Sequence, residues 1–215
     1  MSDAATALDT GNLIIGLLGL ASVAGLAVFL AKAWALRASA VSPRALPIQV
    51  RDKVLREETA EAMTTCRTDE SPLARVLLAG LRNAGRRREV VKEVVQEVGR
   101  HEAQVLVRGL GLLELVAVVA PLLGLLGTVW GMIDVFRAIE THGVGDAAAL
   151  AGGIGTALYT TFAGLVVAIP ARVGHSFLLG KADRLTMDME ERALELVELI
   201  ALDERNAPDA EDTLP

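Results

Sequence analysis

Aromatic residues are scarce in this 215-residue chain: Phe, Trp and Tyr together make up 3% of it. It has one cysteine, Cys66, so no disulfide framework can form within the chain. There is no basic excess either. The net charge is −6, which excludes the electrostatic footprint of a typical nucleic-acid binder. Motifs of soluble enzymes are missing: no CxxC, no HExxH, no GxSxG, and no GxGxxG following a strand. His101, His142 and His175 lie far apart with no companion ligands and read as surface or interface residues. The expectation is therefore a non-enzyme without metal or cofactor. What the chain does have is 52% hydrophobic residues, mostly Leu, Val, Ile, Ala and Gly, too many for a disordered chain. That is how packed membrane helices are composed. The 48 charged residues must then be segregated along the chain.

They are. Residues Leu13 to Ala31, Leu115 to Ile133 and Ala147 to Ala171 contain no charge, in stretches of 19, 19 and 25 residues. At ~1.5 Å per residue each is long enough to cross a hydrocarbon core of ~30 Å. The leader before the first stretch carries Asp3 and Asp9 but no Lys or Arg, so it does not read as a cleavable signal. The segment 37–108 holds 14 Lys/Arg against 10 Asp/Glu, which by the positive-inside rule makes it cytoplasmic. The flanks of the other stretches agree. Residues 137–146 have one Arg, whereas Arg172, Lys181 and Arg184 follow the third stretch. The predicted layout is an all-α membrane protein with three transmembrane helices and long cytoplasmic helical extensions. Residues 1–12 form a periplasmic N-terminus, and 13–36 are the first span. A cytoplasmic helical region covers 37–108, and the second span 109–136. A periplasmic loop at 137–146 leads to the third span at 147–171. A cytoplasmic helix over 172–205 ends in a disordered acidic tail, 206–215.

The cytoplasmic parts also read as helical. Ile48 to Cys66 contains no Gly or Pro. In Arg86 to Arg108, Val90, Val91, Val94, Val95, Val98 and Val105 recur at three or four, predicting an amphipathic helix that runs straight into the second span. Leu185, Met189, Leu196, Leu199 and Ile200 make a further apolar stripe. Pro43 and Pro47 break the chain after the first span, Ser71-Pro72 can start a helix, and Asn83–Gly85 is a turn.

The second and third spans carry the motifs APLLGLLGTVWG and GIGTALYTTFAGLVVAIPA. Ala117, Ala120, Gly124, Gly127, Thr128 and Gly131 recur at three or four and make a groove that admits another helix closely. Thr156, Thr160 and Gly164 step by four in the third span, with Ala157, Thr161 and Ala168 beside them. Such an extent of small-residue surface favours an oligomer over packing within one chain alone. Thr128, Tyr159, Thr160 and Thr161 bring hydroxyls near the centres of their uncharged stretches, which either satisfy their own backbones, line a thin polar path or accept a hydrogen bond from a partner's side chain; Thr156 is a further candidate for the path. Pro121 and Pro170 each remove a helical hydrogen bond and predict kinks. Glu114 and Asp134 mark the two ends of the second span. Each is either a pathway end or an interfacial partner, Glu114 of Arg108 or Arg172 and Asp134 of Arg137. No carboxylate sits at mid-membrane, so a working charge there has to belong to another chain.

The two motifs, in this order on successive spans, resemble the signature of the MotA/TolQ/ExbB proton-channel family, and the three-span layout resembles its ExbB/TolQ branch. The resemblance implies a homopentameric ring whose second and third spans line a central pore. It also implies a dimeric ExbD- or TolR-like single-span partner that carries the membrane Asp, and coupling to a TonB- or TolA-like protein. Thr128 and Thr161 match the family's pore threonines, whereas Thr156 stands where many relatives have Glu. The implied function is an inner-membrane subunit of a proton-motive-force-driven motor. The alternative is a non-conducting membrane scaffold, which the missing Glu makes conceivable.

Overall fold

The computed structural model describes residues 2–142 and 147–201, with side chains from 12 to 141 and from 150 to 201. The predicted acidic tail at 206–215 and part of the loop at 137–146 lie outside them. The described residues form helices and no extended strand: α1 (Ser2–Ala35), α2 (Ala38–Val41), α3 (Ala45–Leu55), α4 (Thr59–Thr68), α5 (Pro72–Arg82), α6 (Arg88–Val107), α7 (Leu110–His142) and α8 (Ala147–Ile200). Among them, α1, α7 and α8 are long and apolar enough to cross a membrane. The chain divides into two compact units, Met1–Lys32 with Gly109–Leu178 and Ala33–Arg108 with Leu179–Pro215.

The first unit packs α1, α7 and the first part of α8 together. Ile14 and Leu18 of α1 are buried with Ala120 of α7 and Ala168 of α8. Gly25 lies against Leu113 and Val116, and Phe29 against Gly174. The remaining faces expose large aliphatic side chains such as Leu20, Leu26, Leu122, Leu126, Leu158 and Val166, as lipid-facing or partner-facing surfaces do.

The second unit is a small helical bundle with its own buried apolar core. Ser71 caps α5 by accepting a hydrogen bond from the Ala74 amide, and Pro72 occupies the first helical position. Leu73, Val76, Leu77 and Leu81 are buried, along with Val91 and Val95 of α6 and Met189, Ala193, Leu196 and Val197 of α8. Gly80 lets α5 approach closely: a Cβ there would sit 3.2 Å from a Val95 methyl. Arg75 grips the buried Glu102 with two hydrogen bonds of 2.6 Å, from Nε and Nη2. That carboxylate holds the guanidinium pKa above its ordinary value. Burial, with Asp69 adding, pushes the Cys66 thiol up to about 11.

Several local expectations are corrected. Ile48 to Cys66 is helical, in two pieces, α3 and α4. The chain breaks after Leu55, and Glu57 adopts φ +64°. No Gly or Pro announces that break. Pro47 does not break the chain; it lies in the first turn of α3, where its missing amide costs no helical hydrogen bond. The amphipathic α6 does not run straight into the second span. Gly109, at φ +88°, separates α6 from α7, a conformation an L side chain rarely adopts. The helix that carries the second span, α7, extends to His142, and α8 passes without interruption from the third span to Ile200. Val105 and Leu199 leave their predicted apolar stripes and are exposed, whereas Leu106 is buried.

Candidate ion pathway along the second and third spans

Span two and span three meet along their small residues. Gly124 lies against Thr160, Thr161 and Gly164, and Gly131 lies against Gly153 and Ala157. The pairing descends one helix while it climbs the other, so the two run antiparallel. Their backbones touch: a Cβ on Gly164 would come within 2.6 Å of the Ala120 carbonyl oxygen. Any side chain on Gly127 would overlap Thr160. In lipid such seams are held by dispersion and by hydrogen bonds, since apolar burial gives no advantage there. The groove that the sequence offered to another helix is thus filled by the chain's own third span.

Each of the four threonine hydroxyls donates to a backbone carbonyl. Thr128 donates to Leu125 at 2.7 Å, Thr156 to Gly152 at 3.0 Å and Thr160 to Ala157 at 2.9 Å, all within their own helices. Thr161 crosses the seam and donates to the Gly124 carbonyl at 3.2 Å. Thr160 is buried at 1% exposure and turned into the seam, Thr156 is exposed, and Thr128 and Thr161 are half-buried. With their protons committed, these oxygens keep lone pairs that accept a further hydrogen bond. They supply polar points to a visiting acid but hold no exchangeable proton near neutral pH. Pro121 and Pro170 sit inside helices that continue through them, leaving the carbonyls of Ala117 and Val166 without their usual partners.

Carboxylates stand at the ends of this seam. Glu114 faces Arg172 at 3.9 Å and His175 at 4.0 Å, both from α8. Asp134 pairs with Arg137 at 3.7 Å, and the Arg137 guanidinium lies 5.8 Å from the Trp130 ring centre. Of the alternatives left open for these acids, the ion-pair geometry is present for both. The Trp130 indole nitrogen and Asp134 Oδ1 are buried without a hydrogen-bond partner. His175 is the residue that sequence reasoning missed, because it was read as a surface or interface position. The missed signal is its register: Ala157, Gly164, Ala168, Ala171, His175 and Leu178 follow one buried stripe at steps of three, four and seven.

This geometry defines a multi-span helical membrane protein whose second and third spans form a small-residue seam, polar at mid-depth and ionisable only at its ends. Residues 68–191 match the model of the MotA/TolQ/ExbB proton channel family, and the chain belongs to that family. It is similar to the biopolymer transport protein exbB1 of Vibrio cholerae, 49% identical over 92 residues, 42% of this chain and 40% of that one. It is 33% identical over 175 residues to an ExbB homolog of Methanothermobacter thermautotrophicus, covering 81% of this chain and 62% of the relative. With the biopolymer transport protein ExbB of Neisseria gonorrhoeae it shares 34% identity over 160 residues, 68% and 72% of the two chains. The matched stretch thus spans less than two thirds of the Vibrio and Methanothermobacter relatives. The resemblance is to the ExbB-like branch, and three apolar helices in this branch make the chain a multi-pass inner-membrane protein.

Proposed function

We propose that the chain is the multi-span subunit of a motor driven by the proton-motive force, energising biopolymer transport or envelope maintenance. Copies of it form a homopentameric ring with the N-terminus periplasmic and the C-terminus cytoplasmic. Spans two and three line the central pore. A dimeric ExbD- or TolR-like single-span partner threads that pore and brings the membrane carboxylate. A TonB- or TolA-like protein carries the motion across the periplasm.

The observation that carries this reading is the state of the span hydroxyls. Thr128 and Thr156 spend their protons on their own backbones and keep free lone pairs. They suit acceptance from a protonated partner acid and cannot replace it. Thr161 ties the pore-side edge of α8 to the Gly124 carbonyl, and Thr160 fixes the seam behind it. The uncharged stretches support the same division of labour, since nothing between Glu114 and Asp134 can carry a proton as a carboxylate does. Glu114 and Asp134 are the pathway ends.

The test is co-expression with the product of a neighbouring gene that encodes a short single-span protein with a membrane Asp. Stable co-purification in a fixed ratio near five to two, from the ring and dimer proposed (about that value at the precision of native mass measurement), is the expected result. Absence of any such partner, with energised transport unaffected by Thr161→Val, would leave the scaffold reading in its place.

A further inference from the structure

His175 is an odd residue for its position. It occupies a buried stripe whose other members in the first unit, Ala157, Ala168, Ala171 and Leu178, are apolar. A leucine or methionine would satisfy packing there, and a buried imidazole needs a polar reason. The structure supplies one in Glu114 of α7. Its Oε2 lies 4.0 Å from His175 Nε2, while its Oε1 lies 3.9 Å from Arg172 Nη1. Both distances exceed a hydrogen bond, so the carboxylate stands between two basic partners and is locked to neither. Burial grades along the pair: the Glu114 side chain is 53% exposed and the His175 side chain 10%.

We propose that Glu114 and His175 form a proton-exchange pair at this end of the seam, with His175 as the buried carrier and Arg172 as the competing charge on Glu114. The proposal rests on the motor reading above and adds a residue and a step to it. In the step, the proton leaves a Glu114 carboxyl oxygen and joins His175 Nε2. One O–H bond breaks, one N–H bond forms, and a carboxylate and an imidazolium remain. A side-chain rotation of about 1 Å closes the gap to hydrogen-bond distance. Imidazole suits the task because its charge changes between about pH 5 and 8. With the imidazole neutral, Glu114 and Arg172 cancel. With it protonated, the cluster carries one positive charge. The other charged side chain at this end of the first unit is Lys32 of α1, near Gly109; α1 meets α8 beside His175 through the Phe29 ring. The pair lies within the first unit, at the end of the spans the topology makes cytoplasmic. Its half-exposed member, Glu114, opens the pair to water on that side.

The test has two arms. In the first, the full chain in nanodiscs, with 15N-labelled histidine, is titrated by NMR without any partner. Glu114→Gln is expected to change the pH response of the His175 ring 15N signals while leaving that of His101 in place. An unchanged His175 curve overturns the pairing. In the second, chain and partner are reconstituted in liposomes and proton flux is followed against pH on the cytoplasmic face. His175→Gln is expected to cut flux about tenfold and flatten its dependence between pH 5 and 8. Glu114→Asp is expected to retain that dependence. A His175→Gln variant that keeps both flux and pH profile overturns the carrier role. Loss of flux in the wild type itself would count against the motor reading, and the first arm would still decide the pairing.

Discussion

Thr160 of α8 packs onto Gly127 of α7 with no room left for a side chain on the glycine. The contact fixes how close the second and third spans come, and so fixes the wall of the proposed pathway. Replacing Gly127 by Ala therefore forces the helices apart. Overpacking of this kind costs about 1–3 kcal/mol, so a thermal midpoint several degrees lower is expected for the purified chain in detergent. Gly16→Ala provides the comparison, because nothing lies within 4 Å of a Cβ there. Equal midpoints for the two variants would contradict the seam.

Thr161 makes the hydroxyl contact that crosses the seam, to the Gly124 carbonyl. Interhelical hydrogen bonds in membranes are worth about 0.6 kcal/mol on average and up to about 1.7 kcal/mol. Thr161→Val should lose that much stability and Thr161→Ser should keep most of it. Thr128→Val removes a bond within its own helix and should be nearly neutral in the same unfolding assay. A larger loss from Thr128→Val than from Thr161→Val would reverse these assignments.

In the second unit, Arg75 is half-exposed while its partner Glu102 is buried. Removing only the arginine leaves a buried carboxylate without its charge partner. Arg75→Met is expected to cost about 1–3 kcal/mol, the fully buried range reduced for the exposed guanidinium. Arg75→Met with Glu102→Met should recover most of it. A double variant no better than the single would show that the pair is not what holds α5 to α6.

The Cys66 thiol, raised to about 11, is protonated through the physiological range and above it, so its reactive thiolate is scarce until the pH approaches that value. At pH 8 the folded chain should react with a maleimide about a hundredfold more slowly than the denatured chain. Labelling at the denatured rate would mean that α4 does not bury this residue.

Much of this was legible in the sequence because lipid imposes a simple code. Uncharged stretches long enough to cross a bilayer announce the spans, and small residues at steps of three and four announce a close seam. Two kinds of feature were not legible. Helix breaks at Glu57 and Gly109 depend on left-handed backbone at single positions, and a charged Glu gives no advance sign of adopting it. The choice between a self-filled groove and one kept for another copy depends on what α8 places opposite α7, which composition does not reveal. His175 shows a third limit. It sits in register with a buried stripe, but a histidine read by type alone is sorted to the surface.

The central claim is that this chain supplies the walls and hydroxyls of a proton path while another chain supplies the working carboxylate. The most direct measurement is proton flux into liposomes holding the chain alone, the chain with its single-span partner, and the chain with that partner's membrane Asp replaced by Asn. Flux in the second preparation only is the predicted result. Flux of equal size from the chain alone would contradict it.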